Sequence, residues 1–202
     1  MSGLADSYRG FADLANAHAE GADYRVHMRP IENSSIAIIA PHGGRIEQYT
    51  SDIARGIAGG DFNLYLFEGI RQSGNYATLH LTSHQFDEPR CLSLLSKCDH
   101  VVAIHGCGGD DQRVLLGGLD EVLKPAVGQA LAALGVEVRS DGHQFSATDP
   151  KNICNRGRRS VGVQVEMTMG LRRHGPRDAI CAVIRSVLLT LPHERQRGGQ
   201  SQ

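Results

Sequence analysis

Two histidines and a glutamate stand at positions in the sequence where ligands of a metal ion can be expected. His42 follows the apolar run 36–40 and a proline, Glu47 comes five residues later, and His105 ends a second apolar run over 101–104. Two imidazoles and a carboxylate are a ligand set of catalytic zinc, which keeps one coordination position open for water. A histidine that ends a strand is also common as a structural residue, so spacing alone leaves both roles open.

The segments before these histidines indicate how they would be positioned. Both apolar runs contain β-branched and small residues, which is typical of strands buried on both faces of a mainly parallel sheet. Glycine follows each histidine and allows the chain to turn sharply. Carboxyl ends of parallel strands meet at one edge of the sheet, where open α/β sheets bind their ligands. We therefore expect His42 and His105 to converge there, with Glu47 at the start of a helix over 46–58.

Strand-like and helix-like segments alternate along the whole chain, which favours a three-layer α/β/α domain with a mixed, mostly parallel sheet. The pattern predicts a short amphipathic helix within 1–20, further strands over 24–28, 63–67, 77–81, 114–119, 136–139 and 161–167, and helices over 88–98, 121–134 and 176–191. We expect a single domain over 1–193 and a disordered C-terminal tail over 194–202, where polar residues prevail.

The composition narrows the classes of function. The chain has 202 residues, a net charge of −1 with neutral histidines and 5% aromatic residues, so neither a basic stripe nor a stacking platform for nucleic acid is expected. No apolar run approaches the roughly 20 residues that span a bilayer, and the N-terminal segment lacks the apolar region of a signal peptide. We expect a cytoplasmic protein, a monomer or small homo-oligomer, without a nucleic-acid or membrane partner.

The five cysteines form no C-x-x-C pair, and their odd number argues against a full disulfide framework. Cys91, Cys98 and Cys181 lie among apolar residues and are interpreted as buried small hydrophobes. Cys107 and Cys154 fall in predicted loops near the proposed site, and the sequence leaves open whether these two are paired.

Glu166 is a further candidate because it lies in an otherwise apolar strand. A carboxylate is costly to bury unless it is paired or functional. Alternation along the strand, with Val163 and Val165 facing inward, favours a solvent-facing Glu166 instead. Beside a metal centre, such a glutamate would act as the general base that takes a proton from water.

Several polar residues are second-rank candidates for substrate binding. The polar loop over 141–159 carries two arginines and an asparagine, and the segment after the strand 63–67 carries three more polar side chains. An arginine fork pairs well with carboxylates and would suit an acidic substrate, although a solvated basic loop is the simpler interpretation. These candidates are Arg158, Arg159, Asn155, Arg71, Asn75 and His80.

Six motifs appear together in a fixed order: P-H-G-G-R-I-E, L-F-E-G, L-H-L-T-S-H-Q-F-D-E-P, A-I-H-G, N-I-C-N-R-G and V-Q-V-E-M. As a set, over about residues 35–175, they resemble the phage-type poly-γ-glutamate hydrolases, a family similar in fold to the zinc carboxypeptidases. The resemblance implies one zinc ion held by His42, Glu47 and His105, with Glu166 as general base. The sequence departs from the family pattern at Arg45, a position where small residues are common.

The resemblance implies hydrolysis of γ-glutamyl amide bonds in poly-γ-glutamate or a similar acidic peptide. Arg158 or Arg159, with Arg71 as a third candidate, would then hold substrate carboxylates or the developing oxyanion. One alternative is a zinc amidohydrolase or carboxypeptidase that acts on a small N-acyl or cell-wall peptide. A second alternative, from another class of protein, is a non-enzymatic phage replication-related protein.

Overall fold

A computed structural model of the protein describes residues 8–191, so the predicted tail over 194–202 and the end of the predicted domain at 193 lie outside the described residues. The strands are β1 (Tyr24–Arg29), β2 (Ile36–Gly44), β3 (Asn63–Gly69), β4 (His100–Cys107), β5 (Arg113–Gly117), β6 (Glu137–Arg139) and β7 (Val163–Thr168). The helices are α1 (Phe11–Ala17), α2 (Thr50–Ala58), α3 (Asn75–Leu79), α4 (Pro89–Leu95), α5 (Leu123–Ala133), α6 (Met169–His174) and α7 (Arg177–Leu189), with a 3₁₀ turn over Ile153–Asn155.

The seven strands form one sheet in the order β1-β3-β2-β4-β7-β5-β6. The four central strands β3, β2, β4 and β7 run parallel, whereas β1 pairs antiparallel with β3 and β5 pairs antiparallel with β7. The prediction of a mixed, mostly parallel sheet is confirmed. The carboxyl ends of the four central strands lie at one edge of the sheet, which we call the carboxyl edge.

Alternate residues of the central strands face two separate hydrophobic cores. On one face, Ile38 and Ile104 pack with side chains of α2, α5 and α7, whereas Ile39 and Ala103 on the other face pack with α1, α3 and α4. Covering both faces removes the apolar side chains from water and gives the predicted three layers. Among helices within residues 8–191, none combines the length and apolar character that a bilayer crossing requires.

Strand β2 does not end at Pro41, as its missing amide hydrogen predicted, but continues to Gly44. A bulge between Ala40 and Gly43 interrupts the pairing with β3, so Pro41 does not need to donate a hydrogen bond to the neighbouring strand. Glu47 accordingly lies in the turn before α2 and not on the helix.

The predicted strand over 77–81 is wrong, because most of this segment belongs to helix α3. Gly74 precedes the helix with a φ of 72°, and Leu79 completes the turn as a buried residue. Helix α6 was not predicted, and its six residues are too few to show a helical period. All five cysteines are free thiols, and the four other than Cys107 are buried.

Candidate metal centre

The turn between β2 and α2 folds back so that Glu47 approaches His42. The backbone N–H of Glu47 donates to the carbonyl of His42 at 2.9 Å, and the hydroxyl of Thr50 donates to the carbonyl of Glu47 at 2.7 Å. Gly44 has a φ of 63°, and a Cβ there would lie 2.6 Å from the carbonyl oxygen of Gly69. The turn that brings the two site residues together therefore requires glycine at this position.

The carboxylate of Glu47 lies between three imidazole rings. Its Oε1 is 3.0 Å from Nδ1 of His42 and 3.8 Å from Nε2 of His80. Its Oε2 is 3.7 Å from Nδ1 of His105 and accepts a 2.8 Å hydrogen bond from the N–H of Gly106. The Nδ1 atoms of His42 and His105 are 3.1 Å apart. The structure thus brings the predicted trio together and adds His80, which we had predicted as a substrate contact.

The hydrogen bonds of His42 define which of its nitrogens carries a lone pair. Its Nε2 lies 2.6 Å from the carbonyl oxygen of Leu81, which can only accept, so Nε2 carries a proton and Nδ1 carries the lone pair whenever the ring is neutral. That lone pair faces the carboxylate of Glu47 and the Nδ1 of His105. Either a metal ion or a proton on Nδ1 of His42 satisfies this arrangement, and the bond to a main-chain carbonyl is typical of a metal-binding histidine.

The distances between these donors fit a zinc ion. Ligand atoms of a tetrahedral zinc with bonds of about 2.0–2.1 Å lie about 3.3 Å from one another. Nδ1 of His42 is 3.0 Å from Oε1 of Glu47 and 3.1 Å from Nδ1 of His105, and Nδ1 of His105 is 3.7 Å from Oε2 of Glu47. These separations are close to that value, and they involve both oxygens of the carboxylate. Donor atoms of His42, Glu47 and His80 also lie within 4.8 Å of one another.

The electrostatics of the cluster favour a bound cation. Burial alone would raise the pKa of Glu47, but the neighbouring histidines, above all His42, lower this pKa to about 2. Burial, and then the charge of His42, lowers the pKa of His105 to about 3. A carboxylate that is ionised and an imidazole that is neutral are the forms in which these side chains bind metals.

Glu166 is buried beside this cluster, so the solvent-facing alternative that strand alternation favoured is wrong. It pairs with His105 across the parallel strands β4 and β7, on the face opposite Val165 and Met167. Strand β7 is covered on both faces, so alternation does not send its polar residues to water. Burial, and then the charge of Glu47, raises the pKa of Glu166 well above its usual range.

Gln164 holds Glu166 and is itself held by Asn152, and sequence analysis assigned no role to either amide side chain. The Nε2 of Gln164 donates to Oε2 of Glu166 at 3.3 Å, and Nδ2 of Asn152 donates to Oε1 of Gln164 at 3.2 Å. The alternation Q-V-E in β7 places Gln164 and Glu166 on the same face of the strand and could have indicated this contact.

The predicted substrate contacts after β3 lie at the carboxyl edge with the metal cluster. The ring of His80 stacks between His42 and Tyr76, at centroid distances of 4.1 and 4.6 Å. Asn75 is buried and organises the loop, because its amide accepts from the N–H of Arg71 and donates to the carbonyl of Arg71. The guanidinium of Arg71 pairs with Asp23.

Arg158 and Arg159 lie away from the metal cluster, and the prediction that they act there is corrected. Arg158 forms an ion pair with Asp99, directly before β4, and Arg159 donates to Asp120 and to His100 at the first position of β4. His105 lies at the other end of that strand. The polar loop crosses the amino edge of the sheet before it enters β7, and the arginines follow it.

Asn155 has a structural role, contrary to the predicted substrate contact. Its Oδ1 accepts from the N–H groups of Leu119 and Gly162, and its Nδ2 donates to the carbonyls of Ala147 and Asp149, at 2.9–3.2 Å. These four bonds satisfy the buried amide and join the polar loop to the end of β5.

Replacement of Asn155 with alanine should lower the free energy of unfolding by about 2–4 kcal/mol, because the main-chain groups it pairs lose their partners. Urea unfolding measures the loss, and Asn16→Ala on the exposed face of α1 is the control. A stable Asn155→Ala variant with a raised KM would restore the substrate role.

Solved structures define the class of protein. A bacteriophage poly-gamma-glutamate hydrolase superposes with a TM-score of 0.84 at 30% identity, covering 91% of this chain and 97% of that one. A structure described as zinc-free YNDL superposes with a TM-score of 0.84 at 29% identity, covering 92% of this chain and 98% of that one. A putative carboxypeptidase from Burkholderia mallei shares the fold, with a TM-score of 0.51 at 16% identity, covering 82% of this chain and 58% of that one. The chain therefore has the zinc carboxypeptidase-like fold, as predicted.

Sequence comparison defines the family. A profile of the poly-gamma-glutamate hydrolase family matches residues 8–175. The UPF0714 protein YndL of Bacillus subtilis (strain 168) is 34% identical over 171 residues, which cover 83% of this chain and 66% of YndL. The chain thus spans just under two thirds of that relative. The chain belongs to the poly-gamma-glutamate hydrolase family, a family of hydrolases that act on amide bonds, and the resemblance drawn from the six motifs is confirmed.

Proposed function

We propose that this protein is a zinc-dependent hydrolase that cleaves γ-glutamyl amide bonds of poly-γ-glutamate or a similar acidic peptide. The observation that carries the proposal is the convergence of His42, Glu47 and His105 on one point, with Glu166 buried beside them. Two likenesses support it, one to a bacteriophage enzyme that hydrolyses poly-gamma-glutamate and one to a protein whose structure is described as zinc-free.

His42, Glu47 and His105 would hold the zinc ion, because their donor atoms already face one another. When bound, zinc would polarise the amide carbonyl and make water a stronger acid. We assign His80 to substrate contact, since its side chain is 16% exposed whereas that of His42 is 2% exposed. Stacking of His80 on Tyr76 would keep its ring at the mouth of the site.

Glu166 would move the proton. Its carboxylate would take a proton from the attacking water and deliver it to the leaving amine. The bond from Gln164 to Oε2 orients the group and stabilises its ionised form, which is the form that accepts the proton. A bound cation would favour that form further, because it opposes the burial that raises the pKa of Glu166.

Arg45 is the candidate for binding a carboxylate of the substrate. It lies at the carboxyl edge between His42 and Glu47 and is exposed, and its guanidinium donates to the carbonyl of Arg71 at 2.8 Å. That bond uses one Nη of the fork, and the remaining donors can pair with an anion. Arg45 would therefore take the role that sequence analysis gave to Arg158 and Arg159.

Arg45→Ala is expected to raise KM for poly-γ-glutamate about tenfold, the loss of roughly 1.4 kcal/mol that one exposed charge-assisted contact supplies. KM for a γ-glutamyl amide without a free carboxylate near the scissile bond should stay within about twofold. Arg158→Ala, at the opposite edge of the sheet, is the control and should change neither KM. Equal effects of Arg45→Ala on both substrates would count against a carboxylate contact.

The proposed function is tested by incubating the purified protein, with and without one equivalent of zinc, with γ-linked poly-glutamate and with α-linked poly-glutamate. The two polymers have the same charge and differ in the amide bond that is cleaved. We expect the γ-linked polymer alone to shorten, and only with zinc. Failure to cleave either polymer or a short γ-glutamyl peptide with zinc bound would refute the proposal.

A further inference from the structure

Arg172, on helix α6, is one of the largest buried side chains of the structure, with 2% of its surface exposed. Its guanidinium donates to three main-chain carbonyls from three different segments. Nε donates to Met167 at 3.1 Å, Nη2 donates to Cys107 at 2.8 Å, and Nη1 donates to Gln48. A buried cation is costly, and these bonds give each of the three guanidinium nitrogens a hydrogen-bond partner.

The three carbonyls stand in a specific relation to the site. Gln48 directly follows Glu47, and Met167 directly follows Glu166. Cys107 comes two residues after His105. One side chain therefore holds the main chain next to two of the proposed zinc ligands and next to the proposed general base, although the three segments are far apart in sequence.

Gly106 makes room for this guanidinium. A Cβ on Gly106 would lie 2.3 Å from Cζ of Arg172, so any other residue would displace the arginine. The N–H of the same glycine donates to Oε2 of Glu47 at 2.8 Å. The glycine that follows His105 thus has two functions, a hydrogen bond to a proposed ligand and space for the arginine.

The charge of Arg172 also suits this position. Burial lowers the pKa of Arg172 below its ordinary value, and the charges of the nearby buried carboxyl groups of Glu47 and Glu166 oppose this shift. A positive charge behind two carboxylates lowers the free-energy cost of burying them together.

We propose that Arg172 is a positioning residue, which holds the segments of Glu47, His105 and Glu166 in the arrangement that zinc binding and proton transfer require. The inference rests on the proposed function and adds to it a residue that need touch neither zinc nor substrate. Lysine cannot replace it, because an ammonium is a compact charge without the planar fork that reaches three carbonyls at once.

The test is Arg172→Lys in the full chain, with Arg185→Lys as the matched control. Arg185 also lies on a helix and donates to two main-chain carbonyls, those of Ile57 and Ala58, but it belongs to α7. Zinc affinity is measured by competition with a chromophoric chelator, and kcat and KM are measured at saturating zinc well below the melting temperature.

Arg172→Lys should weaken zinc binding about 10- to 100-fold and lower kcat by a similar factor, with KM within about twofold of wild type. Arg185→Lys should lower the melting temperature without changing zinc affinity or kcat. A purely structural role would give both variants the same behaviour, and wild-type zinc affinity and kcat in folded Arg172→Lys would overturn the inference.

If Arg172→Lys is unfolded by circular dichroism, Gly106→Ala supplies the second test, because it displaces the guanidinium while the arginine remains. We expect the same loss of zinc affinity, and a folded Gly106→Ala with wild-type affinity would overturn the inference. Failure of the proposed function can be distinguished from failure of this inference. If the proposed function is wrong, the wild-type protein itself will not bind zinc or will not hydrolyse the substrate.

Discussion

Glu166→Gln is expected to lower kcat by about 10²–10⁴-fold and to leave zinc binding intact. Glutamine has nearly the shape of glutamate and keeps the contact with Gln164, but it cannot accept a proton from water. The measurement is kcat on γ-linked poly-glutamate, together with the zinc content of the same sample.

The control for this variant is Glu68→Gln. Glu68 is another buried glutamate near the carboxyl end of a central strand, but it pairs with Arg25 and Arg55. It lies on the opposite face of the sheet from Glu166, because its neighbour Phe67 belongs to the core with α1, α3 and α4. We expect Glu68→Gln to keep kcat within about fivefold of wild type. Near-normal turnover by Glu166→Gln would move the general base elsewhere.

His105→Ala is expected to weaken zinc binding by more than about 100-fold. This loss is larger than the roughly 10- to 100-fold loss that follows when a residue that only supports a ligand is removed. The Nδ1 of His105 lies 3.1 Å from that of His42, and removing it leaves two of the three proposed ligands. Purified His105→Ala should therefore contain substantially less than one equivalent of zinc after dialysis, and His42→Ala should behave in the same way.

His100→Ala is the matched control, because His100 lies at the first position of the same strand and contacts Arg159 and Asp120 instead of the cluster. It should retain one equivalent of zinc. A full equivalent of zinc in both His42→Ala and His105→Ala would refute the assignment of the ligands.

The sequence was sufficient to predict the convergence of His42 and His105. Both follow apolar runs that form adjacent parallel strands, β2 and β4, and parallel neighbours bring their carboxyl ends to one edge. Local composition predicts each of the two strands, and the helical segments between them in the chain allow the strands to pair in parallel. The alternation of strands and helices predicted the three layers, and the apolar neighbours of Cys91, Cys98 and Cys181 predicted their burial.

Other features depend on contacts that no local pattern contains. Glu166 is buried because β7 lies between β4 and β5, and this strand order is a property of the whole sheet. The position of Arg158 and Arg159 depends on which edge the polar loop crosses. Arg172 could not be identified because its partners are main-chain carbonyls of residues 48, 107 and 167, and main-chain partners leave no signature in side-chain types.

The buried charges of the site explain one another when they are considered together. Glu47 and Glu166 are two carboxylates in one buried region, and burial of like charges is unfavourable without compensation. Arg172 is close enough to both for electrostatic interaction, and Nδ1 of His42 lies within 3.1 Å of both Glu47 and His105. A divalent cation held by those donors would complete the balance of charge.

The most direct test is anomalous diffraction at the zinc absorption edge from crystals grown with one equivalent of zinc. We predict a single strong peak about 2.0–2.1 Å from Nδ1 of His42, Nδ1 of His105 and an oxygen of Glu47. The absence of a peak between these three side chains, or a peak bound by other residues, would contradict it.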